Sequence, residues 1–354
     1  MSGRDARLAG AILAWYRALG RVMPWRGRPD PWAVWVSEIM LQQTTVTAVA
    51  PRFGPFLERF PNVRALAAAD EAEVLAAVSG LGYYRRFRAL KRAAELLVSE
   101  RDARIPDDED ELRELPGVGD YTAGAIAAIG FGRRAAAVDG NVQRVFSRLD
   151  AREGRQDGVR ARRDIAARVL ELMPAGAEGD FSQALFDLGR EVCTPRSPRC
   201  EDCPAAADCR ARALGRPEDF PERAPKAETL DVLVAQAFVR RDDRVLLLRR
   251  PADAARMPGF WELPEVWIAP ADDPREALAR ELVARCGLVL EDLDEIARAR
   301  HAITRHRLDC RLFAVRVTGR ARRGEDLLWL PADELGRDDR AFSTISRKLI
   351  ARRN

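Results

Sequence analysis

The sequence lacks an apolar run long enough to cross a membrane or act as a secretory signal, because Arg17 and Arg21 interrupt the apolar start of the chain. We therefore expect a soluble, cytoplasmic protein. It also lacks a large surplus of one charge, since 59 Lys+Arg against 55 Asp+Glu leave a formal net charge of +4. An excess of positive charge this small is compatible with a nucleic-acid partner but is not evidence for one.

Cysteine is scarce, with six residues in 354, which argues against a disulfide scaffold in a reducing compartment. Four of them share the spacing C-x6-C-x2-C-x5-C, namely Cys193, Cys200, Cys203 and Cys209. Zinc sites more often pair two C-x2-C units across a longer span, whereas one C-x2-C between wider gaps favours a cubane cluster. We predict a [4Fe–4S] cluster in loop 193–209, with zinc as the alternative. Cys286 and Cys310 should be buried apolar residues.

The chain is longer than one hydrophobic core usually fills, so we expect two domains. Residues 1–213 show apolar side chains three and four positions apart, which predicts an all-α domain. The stretch 214–228 is rich in proline and charge, lacks periodicity and predicts an exposed linker. Residues 229–354 predict an α+β domain, with strands at 230–239, 244–250 and 308–317 and a helix at 274–287.

A Gly-Val-Gly turn joins two helical segments within residues 111–130. The first segment stops at Pro116, and the second should bury Ala123 and Ile126. Gly117 and Gly119 let the backbone turn tightly and bring N–H groups at a helix N-terminus close to a phosphate. The pattern predicts a helix-hairpin-helix that holds DNA without reading its sequence. An ordinary helix–helix connection is the alternative.

Two carboxylates stand out. Glu38 is the one ionisable residue in the apolar segment 31–44, where burial favours its neutral, proton-donating form. Asp139 directly precedes an amphipathic helix and can cap it. A general acid and an anion are what excision of a purine base requires, and we predict that these two residues form that pair. The alternative for Glu38 is a partly exposed position on the polar edge of the helix.

Taken together, the motifs resemble the MutY-type adenine DNA glycosylases of the endonuclease III superfamily. The resemblance covers nearly the whole chain. It rests on the four-cysteine loop and on PWR (24–26), VWVSEIMLQQTTV (34–46), GLGYYRR (80–86), LPGVGDYTAGAI (115–126) and VDGNVQRV (138–145). It implies a monomer associated with the nucleoid that removes adenine mispaired with 8-oxoguanine or guanine in double-stranded DNA.

The resemblance also assigns roles to residues. Glu38 matches the family's proton donor and Asp139 its cation-stabilising aspartate, while Tyr121 and Asn141 match residues that support them. Gln43 and Tyr83 match side chains that enter the duplex beside the mispair; otherwise they would be ordinary surface and core residues. The lining of the adenine pocket is matched by Arg21, Trp25, Arg26, Leu41 and Gln183.

One departure concerns strand cleavage. Bifunctional lyases of the superfamily carry a lysine two positions after the second hairpin glycine, where it forms a Schiff base with the sugar. Here that position is Tyr121, and Gln143 stands where some relatives have a further lysine. We therefore predict base removal without efficient strand cleavage.

The C-terminal part resembles a Nudix segment around Gly259 and Glu265. Ala284 and Arg285 replace the paired glutamates that would hold Mg²⁺, so phosphoanhydride hydrolysis should fail. In the family this domain reads 8-oxoguanine, and the matching segment is Ile303-Thr304-Arg305, with Thr304 as the contact residue. A solvated strand edge is the alternative for this segment.

Three other functions compete with this interpretation: a lyase acting on oxidised pyrimidines, a hydrolase of oxidised nucleotides, and a DNA-binding protein without catalysis. Tyr121 argues against the first, the missing glutamates argue against the second, and the intact Glu38 and Asp139 pair argues against the third.

Overall fold

The computed structural model describes residues 3–27, 30–222, 228–251, 253–254, 256–335 and 342–353. The chain divides into two compact units, Met1–Pro225 and Lys226–Asn354. Residues 223–227 of the predicted linker 214–228 lie outside the described residues. The earlier part of that stretch is folded onto the first unit: Phe220 is 5% exposed, and the Arg148 guanidinium donates to its carbonyl oxygen at 3.0 Å.

The first unit is helical, as its apolar periodicity predicts. Its helices are α1 (Gly3–Leu19), α2 (Pro31–Leu41), α3 (Val46–Arg59), α4 (Val63–Ala68), α5 (Glu71–Ala77), α6 (Arg85–Glu100), α7 (Glu109–Arg113), α8 (Asp120–Ala125), α9 (Gly140–Leu149), α10 (Val159–Leu172), α11 (Glu178–Asp187) and α12 (Arg210–Ala213). Helices α8 and α11 each continue into a π-helical turn, Ile126–Gly130 and Leu188–Val192.

Helix α2 lies in the core of this unit. The Asp30 side chain caps its first turn and Pro31 occupies the first helical position, which fixes where the helix begins. Every residue from Trp32 to Met40 is buried. A helix that is apolar on all faces must be enclosed by other helices, and α2 packs against α3, α6 and α8. The chain therefore carries Glu38 into its interior.

The second unit is a mixed sheet with two helices. Its strands are β1 (Leu230–Arg241), β2 (Arg244–Arg249), β3 (Trp261–Glu262), β4 (Glu265–Ile268), β5 (Val289–Ile303), β6 (His306–Thr318) and β7 (Leu327–Pro331), and its helices are α13 (Pro274–Glu281) and α14 (Thr344–Ile350). The strand order is β3-β2-β1-β6-β5; β1 and β6 pair in parallel, and β5 and β6 form an antiparallel hairpin.

The fold class predicted from sequence, a multidomain α and α+β protein, is confirmed. The three predicted strands correspond to β1, β2 and β6, and the predicted helix to α13 with the π-helical turn that follows it. The other four strands and α14 were missed. Cys286 and Cys310 are buried, as expected. Within the described residues, no helix is both long and apolar enough to cross a bilayer.

Candidate active site

Glu38 is buried, with 6% of its surface exposed. The alternative of a partly exposed position on the polar edge of α2 is therefore wrong. The Tyr121 hydroxyl, from α8, donates a hydrogen bond to its Oε2. The Tyr121 ring packs against Phe186, with 5.7 Å between ring centroids. A buried carboxyl group thus faces a phenol that α8 and α11 hold in place.

The surroundings of Glu38 raise its pKa to about 7. Burial is the main cause, because it disfavours the charged form, and the negative charge of Asp139 acts in the same direction. The hydrogen bond from Tyr121 and the positive charge of Arg26 oppose the rise. The two carboxylates of the predicted pair therefore interact electrostatically. Glu38 can consequently hold a proton up to near neutral pH, which is the protonation state that a general acid requires.

Asp139 is the N-cap of α9, as its position in the sequence predicts. Its Oδ1 accepts from the backbone amides of Asn141 at 2.9 Å and Val142 at 2.7 Å, and its Oδ2 accepts from the Asn141 side chain at 2.8 Å. A negative carboxylate at a helix N-terminus interacts favourably with the helix dipole. Capping therefore fixes the position of this carboxylate at the start of α9.

Asn141 is itself held from a second direction. Its Oδ1 accepts from Arg144 at 2.9 Å, and Arg144 also donates to the carbonyl oxygens of Gly189 and Cys193, each at 2.7 Å. Gly189 allows this close packing, because a Cβ there would lie 2.7 Å from the Asn141 Cβ. Arg144 was not predicted, since on sequence it is one of two arginines in α9 with nothing to distinguish it.

Arg26 forms a two-bond ion pair with Asp187, at 2.7 and 2.8 Å. Asp187 is fully buried at the end of α11 and also accepts from Arg190 at 2.8 Å. Asp187 was not predicted, because on sequence it is one of three acids in α11 and its partner Arg26 is 161 positions away. The pair anchors the loop before α2 to α11.

The other predicted pocket residues are dispersed over the loop before α2, α2 itself and α11. Trp25 is buried against Phe53, edge to face at 5.6 Å. Arg21 is exposed and pairs with Glu191. Leu41 is half-buried at the end of α2, and Gln183 donates to a carbonyl oxygen of its own helix at 3.2 Å. Among the five predicted pocket residues, Arg26 is the one whose positive charge acts on Glu38 and lowers its pKa.

The hairpin turn forms between α7 and α8. Gly117 has a left-handed φ of 80°, and a Cβ there would lie 2.6 Å from the Ala89 Cβ, so only glycine fits. Gly119 has a φ of −105° and faces open space. The first glycine is thus required by the fold, while the second is exposed and has room for a side chain.

Gln43 lies in the loop between α2 and α3, and Tyr83 lies in the loop between α5 and α6. Both are exposed, Tyr83 by 51%, so the alternative of core packing for Tyr83 is wrong. Both have positive φ, 52° for Gln43 and 48° for Tyr83, which is unusual outside glycine. A large exposed aromatic side chain on a constrained loop is available to a partner.

The four clustered cysteines line one cavity with Arg148 and Pro217. None is in a disulfide. Arg148 donates to the Cys193 sulfur at 3.3 Å. Within the described residues, no three His, Cys, Asp or Glu side chains surround a point that could hold a single metal ion. The donor set consists of four thiols around a shared cavity, which suits a metal centre held by thiolates.

In the second unit, the predicted recognition segment is the turn of the β5–β6 hairpin. Ile303 pairs with His306, and Thr304 and Arg305 form the exposed turn between them, with a φ of 52° at Thr304. The Thr304 hydroxyl donates to the Ile303 carbonyl oxygen at 2.7 Å.

A groove in the second unit is lined by charged side chains that pair with one another, among them Arg250, Glu262, Glu265, Glu281 and Arg285. We call it the Nudix-like groove. Arg250 binds both Glu262 and Glu265, and Arg285 lies 3.7 Å from Glu281. Burial raises the pKa of Glu262 to about 8. Arginine side chains therefore occupy the oxygens that would otherwise be available to a metal ion.

Family models match both units of the chain. Residues 36–169 match the HhH-GPD superfamily of base excision DNA repair proteins, and residues 234–352 match the NUDIX domain. The human adenine DNA glycosylase is 31% identical over 366 residues, covering 88% of this chain and 67% of the human protein. That of Mycobacterium tuberculosis strain H37Rv is 40% identical over 240 residues, covering 64% and 78%.

Solved structures agree on the fold of the first unit. A thermostable thymine-DNA glycosylase is similar with a TM-score of 0.53 and 26% identity, over 60% of this chain and 97% of that one. An endonuclease III in a DNA complex is similar in fold, with a TM-score of 0.50 and 22% identity, over 61% and 100%. This chain spans about two thirds of the mammalian relatives' length. It belongs to the adenine DNA glycosylase family, the MutY type within the helix-hairpin-helix base excision repair superfamily.

Proposed function

We propose that this chain is a monofunctional glycosylase that hydrolyses the N-glycosidic bond of adenine mispaired with 8-oxoguanine or guanine, leaving an abasic site. The observation that carries the proposal is the buried Glu38, whose pKa is raised to about 7 beside the capped carboxylate of Asp139. We further propose that it acts as a monomer in the cytoplasm, on nucleoid DNA.

In this mechanism the adenine leaves the duplex, at a cost of a few kcal/mol of stacking and pairing. Glu38 donates its proton to a ring nitrogen of the base, so that the base departs neutral. Asp139 faces the positive charge that develops on the sugar, and water completes the hydrolysis. Tyr121 holds the Glu38 carboxyl, and Asn141 holds that of Asp139.

The absence of lyase activity is supported by the distribution of lysine. A Schiff base with the sugar requires an amine. The sequence has three lysines, and Lys91 is the one that precedes the linker. Lys91 lies on α6, where its ammonium is bound to Glu95 of the same helix at 2.6 Å and to the Ala67 carbonyl oxygen of α4 at 3.2 Å. The position at which lyases carry lysine holds Tyr121, whose phenol is bound to Glu38.

The experiment is a single-turnover assay on duplexes with adenine opposite 8-oxoguanine, guanine or thymine. We expect free adenine from the first two, and strand breaks only after alkali cleaves the abasic site. Borohydride should trap little covalent complex. Strand breaks without alkali, or strong trapping, would contradict the monofunctional assignment.

We propose that Cys193, Cys200, Cys203 and Cys209 hold a [4Fe–4S] cluster. Such a cluster, bound by four thiolates, would tie the loop after α11 into one unit. Iron and sulfide content and visible absorbance of the anaerobically purified chain test this. Cys203→Ser should lose the absorbance, while Cys310→Ser, a buried thiol elsewhere, should retain it. Zinc without iron in the wild type would refute the cluster.

We propose that the Thr304-Arg305 turn contributes to recognition of 8-oxoguanine. The turn is exposed at the end of the β5–β6 hairpin, which suits contact with a base. Thr304→Ala should reduce the ratio of single-turnover rates for adenine opposite 8-oxoguanine and opposite guanine. Glu291→Ala, at an exposed position on the same strand, is the matched control. An unchanged ratio for Thr304→Ala would contradict this part of the proposal.

A further inference from the structure

A buried guanidinium lies where helix α2 ends. Arg86, in the first turn of α6, is 7% exposed. Its Nη1 donates to the Met40 carbonyl oxygen at 3.1 Å and to that of Gln42, while its Nη2 donates to the Thr44 hydroxyl at 3.0 Å. The last carbonyl groups of a helix have no partner within the helix. Arg86 therefore satisfies the end of the helix that carries Glu38.

The same guanidinium reaches a second loop. Its Nη2 also donates to the carbonyl oxygens of Leu81 at 3.2 Å and Gly82 at 3.4 Å. The next residue is Tyr83, and on the first loop Gln43 directly follows a carbonyl that Arg86 holds. Left-handed backbone at two non-glycine residues persists only where surrounding contacts determine it. Arg86 supplies such contacts on both loops.

We propose that Arg86 is a positioning residue that fixes the insertion loops of Gln43 and Tyr83 relative to each other and to Glu38 before DNA binds. The inference rests on the proposed function, in which those two side chains fill the duplex as adenine leaves it. A planar guanidinium with five N–H donors can bind several carbonyl oxygens at once, which the single ammonium of lysine cannot do in the same geometry.

The charge of Arg86 is directed into the protein. Among the described residues no carboxylate pairs with it; its partners are backbone and hydroxyl oxygens. Burial lowers its pKa to about 10, which leaves it positive at neutral pH. Because both terminal nitrogens are engaged, Arg86 acts through the loops and makes no phosphate contact of its own. This distinguishes it from an arginine that binds DNA directly.

The test measures dissociation constants of the full chain for two duplexes across a range of salt. One duplex carries a non-hydrolysable 2′-fluoro adenine nucleotide opposite 8-oxoguanine, and the other is fully matched. Arg86→Met should reduce the ratio of specific to matched binding by about tenfold. The slope of log affinity against log salt should not change. A slope smaller by about one would mean a direct phosphate contact and would overturn the inference, as would an unchanged ratio.

Two further variants test whether the effect of Arg86→Met on binding is only a loss of stability. Arg168→Met removes a largely buried arginine that binds Asp5 at 2.6 Å and Glu171 at 3.0 Å, remote from the two loops. It should lower the melting temperature without changing the binding ratio. Thr44→Val keeps the shape of the side chain and removes one Arg86 partner, so it should reduce the ratio in the same direction by a smaller factor. An equal loss in Arg168→Met would assign the effect to stability.

A double-mutant cycle separates this inference from the proposed function. If Arg86 acts through the two loops, then adding Arg86→Met to the pair Gln43→Ala and Tyr83→Ser should weaken binding little further. Additive losses would overturn the positioning role. If Gln43→Ala and Tyr83→Ser leave the ratio unchanged, the insertion role in the proposed function fails. If Gln43→Ala and Tyr83→Ser reduce the binding ratio but Arg86→Met does not, only the inference about Arg86 fails.

Discussion

Replacement of Tyr121 by phenylalanine should move the pH dependence of base excision to higher pH. The Tyr121 hydroxyl stabilises the ionised form of Glu38, because its hydrogen bond opposes the effect of burial on the pKa. Without that bond the pKa of Glu38 should rise above its value of about 7. A hydrogen bond to a charged group contributes about 1.5–3 kcal/mol, which corresponds to a shift of about one to two pH units.

The assay is single-turnover release of adenine from a duplex with adenine opposite 8-oxoguanine, with enzyme in excess, between about pH 6 and pH 9. If protonated Glu38 is the active form, the wild-type rate should be nearly constant below pH 7 and fall about tenfold per unit above it. In Tyr121→Phe the fall should begin at higher pH, whatever the plateau rate.

Tyr84→Phe is the matched control, since that hydroxyl accepts from the Gly80 amide at 2.9 Å rather than binding Glu38. Its rate should begin to fall at the same pH as that of the wild type. A fall in Tyr121→Phe at an unchanged or lower pH would refute the assignment of Glu38 as the proton donor supported by Tyr121.

Three further outcomes are expected. Native Glu38 holds its proton up to about pH 7, whereas the unfolded chain releases it near pH 4.5. The free energy of unfolding of the wild type should therefore fall by about 3 kcal/mol between these two pH values, relative to that of Glu38→Gln. Parallel pH profiles of the two proteins would contradict a buried, protonated Glu38. Asp139→Asn should reduce the rate of adenine release by about 10²-fold or more. It should change the free energy of unfolding by less than about 1 kcal/mol, because asparagine also caps helices. A large loss of stability would mean that the main role of Asp139 is to cap α9. Gly117→Ala should destabilise the chain by about 1–3 kcal/mol through the clash with Ala89, whereas Gly119→Ala should change thermal stability by less than about 1 kcal/mol; equal losses would contradict the distinction between the two glycines.

Local patterns were enough to predict most of the helical unit and the core of its site. Glu38 was predicted to be buried because it is a single acid in an apolar segment, and Asp139 was predicted to cap α9 because it directly precedes an amphipathic pattern. Both follow from neighbours a few positions away. The exposed Tyr83 could not be predicted from composition, because its position depends on the left-handed backbone of its loop.

The missed features depend on distant contacts. Arg86 binds carbonyl oxygens more than 40 positions away, and Asp187 binds Arg26 across the unit. Strand β5 was missed because two irregularities in its pairing with β6, at Leu290/Asp292 and Glu295/Ala297, interrupt the alternation that marks a strand. Partners of this kind are determined by the fold as a whole rather than by sequence neighbours.

The account depends most directly on Glu38 as the acid that releases adenine. The decisive measurement is the single-turnover rate of adenine release from a duplex with adenine opposite 8-oxoguanine, for the wild type and Glu38→Gln at pH 7. We predict release by the wild type and a loss on the order of 10²–10⁴-fold in the variant, with a melting temperature no lower than that of the wild type. Equal rates in the two proteins, or no adenine release by the wild type, would contradict it.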